Sequence, residues 1–372
     1  MSNSSKQTVE QLLSLADVKI DGRRAFDIKV NDERLYDRVL RHGTLGLGEA
    51  YMDGWWEAKR VDELISRLLT ANLRDKAKIS PSMALNFATG YVLNRQSVKR
   101  ARHNAAHHYN IGNDLYERML DKRMIYSCGY WRNAKTLDEA QTAKLDLVCR
   151  KLHLKKGMKL LDIGCGWGGF AEYAARQYGV VVTGISPAAE QVKLAKKRTK
   201  GLPVTILQKD YRHMTGSFDR IVSIGMLEHV GPKNYGAFFK RCHRLLKDGG
   251  IMLHHTIGSN RSTRATEPWI DKYIFPGGVI PAIAQIAGAV EKRLIVEDIH
   301  NFGPYYDRTL MAWHANFVKH YPEISDHYDE RFYRMWNYYL LSCAGAFRAR
   351  HLQLWQIVMR KIETADVYEA VR

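Results

Sequence analysis

The sequence lacks any long apolar run. Nowhere do its 372 residues approach the ~20 apolar residues that a membrane-spanning helix needs. The nearest candidate, Gly277 to Val290, is shorter and contains Pro281 and Gln285. The first six residues have no apolar core of a secretory signal peptide. We therefore expect a cytoplasmic protein that meets a membrane only peripherally.

Cysteine is also scarce. The five cysteines form no CxxC pair and are odd in number, which excludes a disulfide framework and a zinc ribbon and fits a reducing compartment. His103 and His107 are four residues apart, as metal ligands often are. No acid or cysteine pattern accompanies them, so we predict no metal site.

Acidic residues are outnumbered by basic ones. Lys and Arg total 57 against 39 for Asp and Glu, a net charge of +18. A surplus of this size favours a polyanionic partner, either nucleic acid or an anionic membrane face, over a soluble enzyme with an incidentally basic surface. The 45% hydrophobic and 26% charged residues are ordinary for a globular protein, and the length suggests about two domains.

Two regions differ in their pattern. Residues 1–100 have helical spacing, for example in Val9–Leu15 and Leu64–Leu73, and predict a mostly helical N-terminal domain with a membrane or dimer role. Residues 101–372 form the second predicted domain, with a boundary near the basic stretch Arg95–Arg102.

Short apolar runs alternate with amphipathic helices after Lys155. The predicted strands and helices, in order, are Met158–Ile163, Gly169–Tyr178, Val180–Ile185, Ala188–Lys200, Val204–Leu207, Ile221–Ile224, Tyr235–Leu246 and Ile251–His255. This alternation predicts an α/β fold with a doubly wound parallel sheet, whose ligands bind beyond the carboxyl ends of the strands.

A glycine-rich turn follows the first of these strands. Gly164, Gly166 and Gly168 allow a sharp turn and a close approach to a ligand, while Asp162 can accept a hydrogen bond from an amino group. No Gly-Lys-Ser/Thr follows, so the turn is not a P-loop. It resembles motif I of class I S-adenosylmethionine-dependent methyltransferases, which have a Rossmann-like fold.

The remaining polar positions depart from that class in part. The second strand normally ends in an acid that binds ribose, but here Ser186 and Gln191 would have to supply that polarity. Asp210 and Tyr211, after the third strand, are candidates for contact with adenine. No Pro-Pro pair occurs, although amino-directed nucleic-acid methyltransferases have one after the fourth strand. This absence argues against a nucleic-acid partner.

Several motifs in the same order resemble the cyclopropane-fatty-acyl-phospholipid synthases. They span about residues 45 to 360 and are Gly48–Trp56, Tyr126–Trp131, Leu161–Gly169, Met226–Gly231, Leu253–Gly258, Tyr305–Asp307 and Cys343–Arg348. The block around Tyr109, Asn110, Gly112 and Asn113 resembles the family's cofactor-covering segment. A mycobacterial branch that acts on mycolic acids shares the catalytic half, and the extra helical region favours the phospholipid-acting branch.

The resemblance implies transfer of a methylene group from S-adenosyl-L-methionine to a cis double bond of a phospholipid acyl chain. A bound bicarbonate ion is expected to accept the proton, in a pocket formed by Cys128, Glu228, His255, Ile257 and Tyr306. Cys343 is either a further active-site residue or a small buried hydrophobe. The predicted cofactor-binding residues are Tyr126, Ser127, Leu160, Leu161, Asp162, Ile163, Gly164, Cys165, Gly166, Trp167, Gly168, Ser186, Gln191, Asp210 and Tyr211.

The expected substrates are unsaturated phospholipids at an anionic membrane surface. Residues 259–300, rich in aromatic and apolar side chains, are predicted to cover the acyl chain, with Trp and Tyr at a lipid interface. A homodimer is expected from the resemblance. The alternatives are methyl branching of lipid chains without ring closure, modification of nucleic acid, and cofactor binding without catalysis.

Overall fold

The structure is a computed structural model that describes residues 3–73, 112–362, 365 and 367–372. The predicted domain boundary near residue 100 and the residues His103, His107, Tyr109 and Asn110 lie outside this described part. None of the described helices combines the length and apolar character required to span a bilayer.

The helices are short to medium in length. In chain order the α-helices of the described residues are α1 (Asn3–Ser14), α2 (Arg34–Met52), α3 (Val61–Thr70), α4 (Asn113–Met119), α5 (Leu137–Lys151), α6 (Gly169–Tyr178), α7 (Ala189–Arg198), α8 (Tyr235–Leu245), α9 (Pro268–Tyr273), α10 (Ile283–Val290), α11 (Pro304–His320) and α12 (Glu330–Arg348).

The strands form two sheets. They are β1 (Lys29–Val30), β2 (Trp56–Glu57), β3 (Lys159–Ile163), β4 (Val181–Ser186), β5 (Val204–Gln208), β6 (Phe218–Ile224), β7 (Leu246–Ser259), β8 (Leu294–Asn301) and β9 (Leu352–Lys361). The small sheet pairs β1 with β2, and the large sheet has the order β5-β4-β3-β6-β7-β9-β8.

The large sheet confirms the predicted α/β fold. Strands β3 to β7 run parallel, and the helices between them alternate with the strands as the sequence pattern predicts. The predicted helix Gly169–Tyr178 is α6, and the other predicted elements agree within a few residues. Sequence reasoning missed β8 and β9, which pair antiparallel at one end of the sheet.

The described residues divide into two compact units that are discontinuous in sequence. The first consists of residues 3–73, Arg264–Pro276 and Tyr306–Leu352, and the second of residues 112–263, Gly277–Tyr305 and Gln353–Arg372. The sequence analysis instead assigned all of 101–372 to one domain. The physical reason for the difference is that α12 packs against α2 and α3, so two C-terminal segments complete the helical unit.

Trp269 shows why α9 belongs to the first unit. Its side chain is 1% exposed, its ring centroid lies 4.7 Å from that of Tyr338 on α12, and its Nε1 donates to Met52 Sδ at 3.3 Å. A Cβ at Gly48 would approach the Trp269 ring to 2.5 Å, so this position of α2 must be glycine for the ring to fit. Trp269 is therefore a core residue of the first unit, and its predicted place at a lipid interface is wrong.

Ion pairs link the helices of this unit. Glu49 accepts hydrogen bonds from Lys272 Nζ at 2.6 Å, Tyr273 Oη at 2.8 Å and Arg38 Nη2 at 2.9 Å. Arg348 on α12 donates to Asp62 at 2.6 Å and to both carboxylate oxygens of Asp307. Although burial opposes ionisation, these donors hold the pKa values of Glu49 and Asp62 at about 2. Motif Gly48–Trp56 thus has a structural role within the first unit.

Replacing Trp269 with alanine tests this packing. We expect Trp269→Ala to lower the free energy of unfolding by about 3–5 kcal/mol, because a large side chain is removed from a filled core. The matched control is Trp55→Ala, whose ring is half-buried and lies against Arg34 and Arg38, and whose loss we expect to be much smaller. Urea unfolding followed by circular dichroism measures both. Equal effects would contradict the packing described.

Candidate active site

The strand order of the second unit creates a crevice. From β3 the chain builds outward to β4 and β5, then returns to place β6 on the other side of β3. At such a reversal the loops that follow the two central strands diverge, and ligands bind between them. Here the glycine-rich turn follows β3 and Glu228 follows β6. A Cβ at Gly164 would lie 3.2 Å from Met226 Cγ, so the two loops lie close together.

The glycine-rich turn has the backbone that its sequence predicts. Gly164, Gly166 and Gly168 have φ values of 87°, 53° and 80°, a region that favours glycine. The backbone N–H groups of Gly164 and Cys165 donate to the carbonyl of Ile185 on β4, which fixes the turn to the neighbouring strand. Apart from its chain neighbours, no described residue comes within 4 Å of a Cβ built at Gly166, so among these residues this edge of the turn is open to a ligand.

Asp162 lies at the end of β3 next to this turn. Its side chain is buried, and its Oδ2 has no hydrogen-bond partner among the described residues. Burial raises the pKa of Asp162 to about 7, and the positive charge of Lys144 acts in the opposite direction. A buried carboxylate oxygen without a partner is costly unless a ligand donates to it. The turn and this carboxyl group fit a ligand with an amino group, as S-adenosylmethionine has.

Aromatic contacts bring the predicted segment Tyr126–Trp131 close to the glycine-rich turn. The Tyr116 ring of α4 lies 5.2 Å from that of Tyr126 and 5.0 Å from that of Trp167. Trp167 Nε1 donates to Asn113 Oδ1 at 3.1 Å. Two blocks that are far apart in sequence therefore meet at the predicted cofactor site.

Ser186 and Gln191 meet as the sequence analysis requires. Ser186 Oγ donates to Gln191 Oε1 at 3.0 Å, and both side chains are buried at the end of β4. Because the amide oxygen of Gln191 is used in this way, its NH₂ group is the end that can donate to a ligand oxygen.

Asp210 and the Tyr211 ring both contact neighbouring residues. Asp210 Oδ1 accepts from the Arg212 backbone N–H at 2.9 Å and lies 3.2 Å from Arg212 Nε. The Tyr211 ring packs edge-on against Phe238 in the core, with centroids 5.1 Å apart, and its buried hydroxyl has no partner among the described residues. Their predicted contact with adenine stays a prediction.

Glu228 occupies a short 3₁₀ turn after β6, and its side chain is buried. Its Oε1 accepts from the backbone N–H of Ile257 at 2.7 Å, while Oε2 is buried without a partner among the described residues. Burial raises the pKa of Glu228 to about 7. The side chain is therefore partly protonated near neutral pH and can either donate or accept a hydrogen bond.

His255 lies on β7, directly beside the end of β6, where it is paired with Ile224. It is 1% exposed, and burial lowers the pKa of its imidazole well below the usual value, so the ring is neutral. Gln356 Nε2 on β9 faces His255 Nδ1 at 3.4 Å. With the Gln356 amide in this orientation its nitrogen is the donor, which assigns the ring proton to Nε2. His255 Nε2 is buried and has no partner among the described residues.

An aromatic wall continues from His255. The Phe302 ring lies 5.9 Å from His255 and 5.3 Å from Tyr130, and Tyr130 lies 5.5 Å from Tyr305. Cys128 is fully buried, and its thiol donates to the Gly129 carbonyl at 3.2 Å. Glu228 thus contacts the backbone of Ile257, two residues after His255 on β7, and the wall beside His255 is apolar.

Tyr306 and Cys343 belong to the first unit. The Tyr306 ring stacks on Phe347 with centroids 4.5 Å apart. Burial raises the pKa of the Cys343 thiol to about 12, which disfavours the thiolate that a nucleophile requires. This favours the structural reading of Cys343. The predicted roles of both residues stay predictions.

Comparison with known proteins identifies the family. The sequence model described as "Mycolic acid cyclopropane synthetase" matches residues 96–357. The chain belongs to this family. It is 52% identical over 351 residues to the cyclopropane-fatty-acyl-phospholipid synthase of Escherichia coli strain K12, covering 94% of this chain and 92% of the relative.

Two further relatives extend this result. A probable fatty acid methyltransferase of Pseudomonas putida is 37% identical, over 90% of this chain and 86% of its own length. The crystal structure of the mycolic acid cyclopropane synthase CmaA1, complexed with SAH and CTAB, aligns with a TM-score of 0.66 and 32% identity. It covers 70% of this chain and 98% of that one. The predicted family and methyltransferase fold are confirmed.

Some members of the site were not found from the sequence. Lys144 on α5 is fully buried and donates to Ser127 Oγ at 2.8 Å, and Gln356 contacts His255. Gln356 lies on β9, a strand that the sequence analysis did not predict. The helical spacing could have indicated Lys144, because it lies on the same face of α5 as the buried residues Gln141 and Val148. Among the described residues there is no cluster of three or more metal-ligating side chains.

The raised pKa of Glu228 predicts a pH-dependent stability. An acid whose pKa is about 7 when folded and 4.5 when unfolded binds more protons in the folded state, so its contribution is lost as pH rises between these values. Glu228→Gln cannot ionise. Relative to the wild type, its free energy of unfolding should therefore increase between pH 5 and pH 8, by up to about 3 kcal/mol.

Chemical denaturation at several pH values measures this difference. The matched control is Glu190→Gln, an exposed glutamate on α7, for which the difference should stay constant with pH. A constant difference for Glu228→Gln as well would show that Glu228 ionises normally in the folded protein.

Proposed function

We propose that this protein transfers a methylene group derived from S-adenosyl-L-methionine to the cis double bond of unsaturated phospholipid acyl chains, forming a cyclopropane ring. The observation that carries the proposal is the 52% identity, over nearly the whole of both chains, to the E. coli cyclopropane-fatty-acyl-phospholipid synthase. Buried polar atoms of Asp162, Glu228 and His255 that have no partner among the described residues support it independently, because a bound ligand would satisfy them.

S-adenosylmethionine, when bound, supplies an electrophilic one-carbon unit. The residues that would hold it are the turn Gly164–Gly168, Asp162 for the amino group and Gln191 for the ribose. Tyr126, Ser127 and Trp167 would complete the site, since their segments meet around Tyr116. An alkene is a weak nucleophile. These residues would therefore contribute to catalysis mainly by positioning the cofactor and by excluding water.

Ring closure requires removal of one proton from the added carbon. Glu228 and His255 could both bind a small anionic base, since His255 Nε2–H can donate and a protonated Glu228 Oε2 can also donate. Bicarbonate fits this donor set, and its role would be to accept the proton. Ile257 would contribute through its backbone, and Cys128 is proposed as a further member. The role of Tyr306, which belongs to the first unit, stays a prediction from the resemblance.

The apolar wall beside His255 suits an acyl chain. Tyr130, Phe302 and Tyr305 present aromatic rings there, which exclude water and can stabilise positive charge on the chain through their faces. Water in this position would capture a cationic chain as an alcohol. Of the predicted cover, residues 259–300, the part 264–276 belongs to the first unit and β8 is a strand of the large sheet. The part between them, residues 277–293, is proposed as a cover for the chain.

Access to phospholipids requires contact with a membrane surface. The net charge of +18 supports peripheral binding to anionic headgroups, where each Lys or Arg near the surface contributes about 1 kcal/mol. A homodimer is proposed from the resemblance alone. Deletion of residues 1–95 is unsuitable as a test of membrane use, because it would remove part of the core of the first unit, including Trp56 and Leu64.

Methyl branching without ring closure is the second candidate. The similarity to a probable fatty acid methyltransferase supports methyl branching as an alternative. Both reactions add one carbon to the chain, so mass alone is insufficient. Resistance of the product to catalytic hydrogenation distinguishes a saturated branched chain or ring from an alkene, and proton NMR identifies the ring.

The test uses the purified full chain, labelled S-adenosylmethionine and vesicles of dioleoyl phospholipid. We expect label in cyclopropane chains, with none from vesicles of saturated lipid. His255→Ala should lower kcat at least about 100-fold, the range for loss of a group that acts in proton transfer. The same variant should bind S-adenosylhomocysteine with nearly wild-type affinity, as measured by calorimetry.

Two results would contradict the proposal. Oleoyl chains that remain unlabelled while an amine or RNA is methylated would exclude lipid alkylation. Equal loss of cofactor affinity and of turnover in His255→Ala would show that His255 does not belong to the acyl side of the site.

A further inference from the structure

Lys144 is a buried cation without a salt bridge. It lies on α5 with 0% exposure, and its one hydrogen bond among the described residues is with Ser127 Oγ, at 2.8 Å. A buried ammonium group is costly, whereas a methionine of similar length would fill the same space without that cost. Packing alone therefore does not explain why a lysine, with its positive charge, occupies this buried position.

Ser127 is held from two positions of one helix. Lys144 donates to its hydroxyl oxygen, and Gln141, one turn earlier on α5, donates through Nε2 to the Ser127 carbonyl at 2.7 Å. Because the ammonium group can only donate, it occupies an acceptor site of the hydroxyl and leaves the hydroxyl hydrogen free to point to another acceptor. The two contacts therefore set the direction in which Ser127 donates.

Lys144 interacts electrostatically with titratable groups of the predicted cofactor site and of the predicted catalytic site. Its ammonium group interacts electrostatically with Asp121, Cys128 and Asp162, and it also acts on His255. Asp121 is already satisfied by the backbone N–H groups of Ile125 and Arg123. Asp162, in contrast, has a buried oxygen with no partner among the described residues.

We propose that Lys144 is a positioning residue of the cofactor site: it orients the Ser127 hydroxyl and places a buried positive charge that favours the carboxylate form of Asp162. This inference rests on the proposed function, which assigns Ser127 and Asp162 to the cofactor. Lys144 itself is not proposed to touch the reacting atoms. Its effect should therefore be on affinity and on the pH dependence of binding.

The electrostatics give the direction of the effect. Burial raises the pKa of Asp162 to about 7 and lowers that of Lys144 to about 8, while each charge favours the other. Removing the charge of Lys144 leaves only burial acting on Asp162, so its pKa rises further. A smaller fraction of Asp162 is then ionised at pH 7, and a ligand amino group binds more weakly.

The experiment measures binding of S-adenosylhomocysteine by calorimetry from pH 5.5 to pH 9. Two variants separate the two roles, since Lys144→Gln keeps a donor for Ser127 but removes the charge, and Lys144→Met removes both. We expect both variants to shift the pH midpoint of binding upward by one unit or more. Affinity at pH 7 should fall about tenfold in Lys144→Gln and further in Lys144→Met.

Three controls make the result specific. Lys193→Met, an exposed lysine on α7, should leave the midpoint unchanged, and Lys144→Arg should restore it. When Asp162→Asn is also present, binding should show no pH midpoint. The loss of affinity that Lys144→Gln causes at pH 7 should then be much smaller. If Lys144→Gln and Lys144→Met do not unfold cooperatively, the test uses the pH midpoint of binding in Lys144→Arg. A shifted midpoint in that variant counts against the proposal.

An unchanged midpoint in a folded Lys144→Gln variant would overturn the inference. So would an unchanged effect of Lys144→Gln when Asp162 is already neutral, because that would indicate a structural role only. Failure of the proposed function is distinguishable. Unlabelled oleoyl chains in the turnover test would overturn lipid alkylation, whereas a wild type that does not bind S-adenosylhomocysteine would overturn the cofactor assignment.

Discussion

Burial of ionisable groups at the carboxyl edge of the parallel sheet is the constraint on which the second unit depends. Asp162, Glu228 and His255 have polar atoms that are withdrawn from water and lack partners among the described residues. Each such atom destabilises the fold by about 1–3 kcal/mol unless something binds it. Stability of the free protein and the presence of a ligand site are therefore opposed here, and a ligand that pairs with these atoms would remove the cost.

The same burial sets the chemistry. Burial raises the pKa of Glu228 to about 7 and keeps the imidazole of His255 neutral, so both side chains can donate a hydrogen bond to an anion near neutral pH. A charged side chain could reach the acyl chain only at a large desolvation cost, whereas a small bound anion can be exchanged with solvent. The aromatic wall formed by Phe302, Tyr130 and Tyr305 lies beside His255 and keeps that side of the pocket apolar.

The parts of the fold that depend on local sequence were predictable. The glycine-rich turn, helix α6 and strands β3 to β6 follow from residues close in sequence, and Ser186 meets Gln191 for the same reason. Trp269 was misread because an aromatic residue in an insertion is compatible with a lipid surface or a core, and only its packing against Tyr338 decides. Lys144 was missed because the value of its charge depends on Asp162, which is distant in sequence and near only in the folded chain.

The central claim is that the pocket of Glu228 and His255 acts through a bound anionic base. The most direct measurement is turnover of oleoyl vesicles by the wild type in buffer depleted of dissolved carbon dioxide, followed by addition of bicarbonate. The account predicts a loss of turnover on depletion and its recovery on addition, with affinity for S-adenosylhomocysteine unchanged throughout. Turnover that does not respond to bicarbonate would contradict it.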